Sequence, residues 1–187
     1  MGVGGRKEAY HLRGIRMLVV DEFPFMVNLM TSMLREFGVG HVRSTCDVSE
    51  AKQIIQQANA GFDKSALIDI AVLDLMGPTQ EGVDLLKWSR SQKADNIKFL
   101  PVLFCSAYTS IDVVCEARDN GANEIMVKPL SAEKLAQRLL YIIDKPRPCI
   151  KAPNFFGPDR RRKQERFKGD EKRTRSEDDV IVSREKE

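Results

Sequence analysis

Ile70-Ala71-Val72-Leu73-Asp74 is a run of four apolar residues closed by a carboxylate. A short unbroken apolar run reads as a strand buried on both faces, the pattern of a parallel sheet. The phrase occurs earlier as Met17-Leu18-Val19-Val20-Asp21-Glu22. It recurs with other closing residues: Pro101-Val102-Leu103-Phe104-Cys105 leads to Ser106, and Ile125-Met126-Val127 leads to Lys128. Open parallel sheets bind ligands in the crevice beyond the carboxyl ends of their strands. Asp21, Glu22, Asp74, Ser106 and Lys128 are therefore expected on one edge, as a site for a cation and a phosphoryl group.

Helical segments separate these runs. After a first strand at 15–20, Pro24 stands in the first turn of a helix running to about Phe37, with Phe25, Leu29, Met33 and Phe37 as its core stripe. Gly38 stops it, and a second strand covers 39–45. Asp47 caps a helix with Ala51, Ile54, Ile55 and Ala58 inward, ended by Gly61-Phe62-Asp63-Lys64. A third strand at 68–73 precedes a helix at 81–92 that buries Val83 and Leu86, with Trp88 beside them. A fourth strand at 100–105 precedes a helix at 109–120 carrying Ile111, Val114 and Cys115. Gly121 closes that helix, a fifth strand covers 124–127, and Ser131 caps a last helix to Asp144. Five strands alternating with five helices predict an α/β fold, a doubly wound five-stranded parallel sheet in (βα)5 order. Right-handed crossovers then put every strand-to-helix loop on one side.

The chain has 187 residues and a formal net charge of +3. Residues 15–145 hold 14 basic and 17 acidic side chains, whereas residues 146–187 hold 13 and 9. The expected folded part is mildly acidic and the basicity lies in the tails, so nucleic acid is not expected as a partner, Arg160-Arg161-Arg162-Lys163 notwithstanding. No apolar stretch is long enough for a membrane span, the start lacks the apolar segment of a secretory signal, and Arg6 replaces the Ser or Thr that would make Gly2 a myristoylation site. Cys46, Cys105, Cys115 and Cys149 form no CxxC pair and read as reduced structural thiols of a cytoplasmic protein.

Three organisational units follow: a flexible lead at 1–14, a domain at 15–145, and an extension at 146–187 that is Pro-rich, then charged, and expected to be disordered. Within the extension, Asn154-Phe155-Phe156-Gly157-Pro158 reads equally well as a docking segment or as a stretch folded back onto the domain.

The chemistry of the edge follows from its donors. Magnesium takes oxygen ligands, one or two of them carboxylates, and keeps several waters. Crowding Asp21, Glu22 and Asp74 is repulsive without a cation. Asp74 is the expected nucleophile, because a carboxylate can form an aspartyl phosphate. Lys128 supplies a point charge and Ser106 a short hydroxyl donor, neither of which has to act as a base. Taken singly, each residue also reads as a helix cap, a turn former or a surface charge.

At this point the chain resembles the receiver domain of bacterial two-component response regulators, the CheY-like family with its flavodoxin-like architecture. The matching elements are Leu18-Val19-Val20-Asp21-Glu22, Val72-Leu73-Asp74-Leu75-Met76, Ser106-Ala107, Gly121-Ala122 and Val127-Lys128-Pro129, spanning about Ile15–Lys145. The resemblance implies that Asp74 is the phosphoacceptor and that a histidine kinase or histidine phosphotransfer protein is the donor. It implies Mg2+ held by Asp21, Glu22, Asp74 and the backbone carbonyl of Met76, with Ser106 and Lys128 on the phosphoryl group and a cis Lys128-Pro129 bond. Output is expected through protein contacts on the 109–144 face, with pairing of two copies left open. The protein then catalyses its own phosphorylation and a slow dephosphorylation, without being a conventional enzyme.

Three departures stand out. Ile125 occupies the place of the family's aromatic switch residue. Gly77 between Met76 and Pro78 reads as a one-residue shift of the metal-side loop. Met76 and Tyr108, where the family tunes attack by water, imply a long-lived phosphoryl state. Two rivals use the same residues: a phosphorelay intermediate passing its phosphoryl group to another histidine protein, and a binding module independent of phosphorylation. A metal-dependent phosphatase fits poorly, since Met76 cannot serve as the general acid.

Overall fold

The four apolar runs and the second expected strand become five parallel strands among the described residues, β1 (Arg16–Val20), β2 (His41–Thr45), β3 (Ile70–Asp74), β4 (Val102–Ser106) and β5 (Glu124–Val127). They hydrogen-bond in the order β2-β1-β3-β4-β5, with Val20 opposite Leu73 and Asp74 opposite Cys105. The computed structural model describes residues 12–61, 64–76, 80–107, 111–152 and 155–159.

Among the described residues six α-helices accompany the strands: α1 (Pro24–Glu36), α2 (Val48–Asn59), α3 (Glu81–Ser91), α4 (Asp95–Lys98), α5 (Ile111–Asp119) and α6 (Ala132–Asp144). Alternation along β1 separates two cores. Leu18 and Val20 pack with Ala51, Ile54 and Ile55 of α2 and Leu85 and Leu86 of α3. Met17 and Val19 pack with Met30 and Leu34 of α1 and Leu135 and Leu139 of α6. Helices cover both faces, so the sheet is doubly wound, as its run pattern predicts. Among the described residues no helix is long and apolar enough to cross a membrane.

The expected caps form. Asp47 accepts from the Glu50 N–H at 2.7 Å, and Ser131 from the Lys134 N–H at 3.2 Å. At the far end of α2, buried Asn59 donates to the carbonyls of Ile68 and Asn96 and accepts from the Ile68 N–H, fixing the approach to β3.

Several expectations need correction. The buried stripe of α1 is Val27, Met30, Thr31 and Leu34, and Phe25 is 73% exposed. A strict spacing of four drifts about 40° per step around a 3.6-residue helix, so Phe25 and Phe37 cannot both face the core. Ile111 of α5 is 78% exposed, and within that helix Ala117 is the residue described as buried. The single turn α4 was unforeseen, being too short to show periodicity. Within the extension expected to be disordered, β6 (Cys149–Ala152) and β7 (Phe155–Pro158) pair as a two-stranded antiparallel ribbon. A lone two-stranded ribbon is marginal. This one packs Phe156 edge-on against Phe99, ring centres 5.1 Å apart, with the Lys98 ammonium 4.3 Å from the Phe156 ring. Phe155 and Phe156 therefore fold back on the domain, while Asn154 lies outside the described residues, as do residues 1–11, Phe62 and Asp63, Gly77, Tyr108 and the charged stretch 160–187.

Candidate functional site

The sheet order reverses between β1 and β3, and Asp21 and Asp74 stand at the carboxyl ends of those strands. Such a switch point leaves a crevice because the helices on either side diverge. Both carboxylates are buried, Asp21 at 0% and Asp74 at 5% exposure. Lys128, directly after β5, reaches between them. Its Nζ lies 2.6 Å from Asp21 Oδ2 and 2.8 Å from Asp74 Oδ1. Burial opposes the ammonium charge, but hydrogen bonds and attraction from Asp21 and Asp74 outweigh it and leave the Lys128 pKa above its ordinary value.

The remaining carboxylate oxygens are oriented by backbone donors. Asp21 Oδ1 accepts from the Phe23 N–H at 3.0 Å, and Asp74 Oδ2 from the Met76 N–H at 2.9 Å. Met76 adopts a left-handed backbone, φ 60°, and its side chain is buried in the core beneath α2 and α3. Gln80, at the start of α3, is left-handed as well, φ 56°. Non-glycine residues in this region store strain, and they flank the segment that follows Asp74. Ser106 is buried at the end of β4, and its carbonyl accepts the Lys128 N–H at 2.7 Å. The Lys128-Pro129 bond is cis.

Asp21, Asp74 and Lys128 are thus joined by direct ion pairs, and Ser106 is tied to Lys128 through the backbone. Glu22 is exposed. Among the described residues no three acidic, histidine or cysteine side chains are gathered as metal donors. The crowding of three acids expected from sequence is therefore replaced by two buried acids sharing one lysine. Two carboxylates against one ammonium leave a net negative charge, and the donors are all oxygen, which fits a hard cation such as Mg2+. Ile125 is partly buried against the core.

Two neighbours of Asp74 matter and one was missed. A Cβ at Gly82 would lie 1.8 Å from the Asp74 carbonyl oxygen, so only glycine lets α3 close onto the end of β3. The signal was present: a glycine inside a helix costs about 1 kcal/mol relative to alanine, so a close approach is its usual reason. Cys105 sits opposite Asp74, and burial pushes its thiol pKa up to about 12, against a lowering by Lys128. It is a neutral filler beside the acids rather than a nucleophile.

A family model described as the response regulator receiver domain matches residues 17–140. Chemotaxis protein CheY-3 of Vibrio cholerae serotype O1 is 28% identical over 138 residues, which are 74% of this chain and 98% of that protein. The crystal structure of the CheX-CheY-BeF3-Mg+2 complex from Borrelia burgdorferi superposes with TM-score 0.60 at 25% identity, covering 72% of this chain and 98% of that one. The receiver domain of the Francisella response regulator 1452 gives TM-score 0.57 at 27% identity, over 70% of this chain and 99% of that one.

Proposed function

This chain belongs to the response regulator receiver domain family and so has the general role of a receiver in two-component signalling, and we propose that Asp74 is its phosphoacceptor. The donor is a histidine kinase or a histidine phosphotransfer protein. The observation that carries this reading is the shared ion pair, with Lys128 within 2.8 Å of carboxylate oxygens from both Asp21 and Asp74.

Asp74 attacks the phosphorus in line, a carboxylate oxygen forms the new O–P bond, and the donor's N–P bond breaks with its electrons going to the histidine nitrogen. The backbone N–H of Met76 holds the second Asp74 oxygen and so fixes which oxygen is presented. Lys128 follows the negative charge onto the phosphoryl oxygens, and the Ser106 hydroxyl donates to another. Asp21, Asp74 and the Met76 carbonyl would hold Mg2+, with exposed Glu22 contributing at the rim, and the ion supplies charge neutralisation for the phosphoryl group when bound. The protein in this reading catalyses its own phosphorylation and loses the group slowly, since the Met76 side chain is apolar and turned into the core, where it cannot guide water. Output runs through the surface of α5, β5 and α6 to a protein target, by biasing an existing two-state equilibrium.

The test is intact-mass measurement after incubation with acetyl phosphate and Mg2+, beside Asp74→Asn. One phosphoryl group is expected on the wild type, and none on the variant or in EDTA. Absence of both labelling and Mg2+-dependent beryllofluoride binding overturns the reading.

A further inference from the structure

We propose that the C-terminal ribbon positions β5, and through it Lys128, at the phosphoacceptor site, with Arg147 and Gly157 as the positioning residues. The inference rests on the phosphoacceptor reading of Asp74. The ribbon lies beyond residue 140, where the family match ends, so it is an addition to the receiver rather than part of its common frame.

Its contacts fall on the two segments that enter β4 and β5. Phe156 packs on Phe99, two residues before Pro101. Gly157 meets Gly121 so closely that a Cβ on Gly157 would lie 2.6 Å from the Gly121 Cα. A Cβ on Gly121 would in turn lie 2.7 Å from the Phe156 carbonyl oxygen. Arg147 sets one guanidinium nitrogen 3.7 Å from Glu124 Oε1, the first residue of β5, and donates from another to the Asp159 carbonyl at 3.0 Å. Glu124 is 1% exposed, and its other oxygen is held by Arg138 of α6 at 2.9 Å.

Among the described residues β5 is an edge strand that pairs with β4 alone. On its open side the described residues give it no ladder to fix its position along the sheet, and Arg147, which leads into the ribbon and bonds Asp159 at its far end, supplies that hold at its first residue. At its other end comes Lys128, whose N–H is tied to Ser106 of β4. A strand advances about 3.3 Å per residue, so Glu124 and Lys128 stand roughly 13 Å apart along a stiff element. The two strands gripped at their start by the ribbon, β4 and β5, are those whose ends present Ser106 and Lys128.

Two measurements on full-length Arg147→Gln test this: the rate of labelling by acetyl phosphate against Mg2+ affinity, and hydrogen exchange of the Lys128 amide. The labelling rate is expected to fall about tenfold with Mg2+ affinity within about twofold, and the Lys128 amide to exchange about tenfold faster. Arg147→Lys, which keeps the charge, recovers most of both. Unchanged labelling together with unchanged Lys128 exchange overturns the proposal, and so does faster exchange spread evenly over the whole sheet, the mark of general destabilisation. If Arg147→Gln does not fold, Gly157→Ala is read by the same measurements. If the wild type takes no label, the phosphoacceptor reading has failed and the exchange pattern alone decides the positioning.

Discussion

The two edges of the sheet each hold a cation against buried groups, and they treat it in opposite ways. At the carboxyl edge Lys128 is shared by Asp21 and Asp74, so one positive charge answers two negative ones. At the amino edge Arg90 of α3 is buried with carbonyls for partners. It donates to Gly121 O from two nitrogens, to Lys98 O and Leu100 O at 3.0 and 2.9 Å, and to Asn123 Oδ1 at 3.2 Å. Burial lowers its pKa to about 10, which still leaves it charged at neutral pH. A cation whose donors are all spent on fixed carbonyls has no reason to move, and it pins the entries to β4 and β5. A cation contested by two carboxylates, one of them beside an exposed acid, has spare negative charge around it and can exchange partners. A fully satisfied buried polar group builds structure, and an incompletely balanced one builds a site. A cavity of about 810 Å³ lies at the amino edge, lined by Asn59, Asp69, Glu124 and Arg147 among others, rather than at the acidic one. Its size does not mark it as the place of the chemistry: Glu124 there is paired with Arg138 and Arg147, and Asp69 accepts the Arg16 N–H at 2.8 Å.

The comparison can be broken most severely at Arg90. Arg90→Met leaves several buried carbonyls without donors and is expected to cost about 4 kcal/mol or more in urea unfolding, with no recovery on adding Mg2+. Lys128→Met is expected to cost about 3 kcal/mol in metal-free buffer, because two buried carboxylates lose their counter-charge. Here millimolar Mg2+ should restore much of the loss, since the ion can replace the missing cation. Equal response of the two variants to Mg2+ would erase the distinction between the edges. Gly82→Ala tests the support of the site. The added Cβ must displace α3 or the Asp74 carbonyl, at about 2 kcal/mol, and should weaken Mg2+ binding measurably.

A smaller effect is expected from pH. Burial holds the Cys105 thiol pKa up at about 12 in the folded chain, above the ordinary range of a free thiol. The unfolded thiol therefore loses its proton first, the folded state binds more protons, and stability falls as pH rises from about 9 to about 12. Cys105→Ala should flatten that slope in thermal melts, after allowance for the cavity it leaves. The smallest change expected is Asp47→Ala, which removes the cap of α2, at about 1 kcal/mol and with labelling unchanged.

Much of this was legible before the fold was known. The apolar runs ending in Asp21, Asp74, Ser106 and Lys128 located four of the five strands of the main sheet and the residues facing its carboxyl edge, because a parallel strand buried on both faces leaves an uninterrupted apolar signature. Asp47 and Ser131 were legible as caps because capping is a local bond between a side chain and an amide three residues on. The stripe of α1 was misread, since Phe25 and Val27 are both apolar and only the sheet beneath decides which faces inward. The exposure of Glu22 was equally beyond the sequence, which shows two adjacent acids but not their opposite directions.

The sequence by itself determined the order of elements, the doubly wound class and the edge at which Asp21, Asp74 and Lys128 stand, because each rests on periodicity and on residues near one another in the chain. Only the tertiary structure decided that Lys128 lies between Asp21 and Asp74, that Arg90 is held by carbonyls from two loops, that Gly82 admits the Asp74 carbonyl, and that β6 and β7 return to pack on Phe99 and Gly121. These are contacts between segments far apart in sequence, where no local spacing records which groups will meet or how much room is left between them.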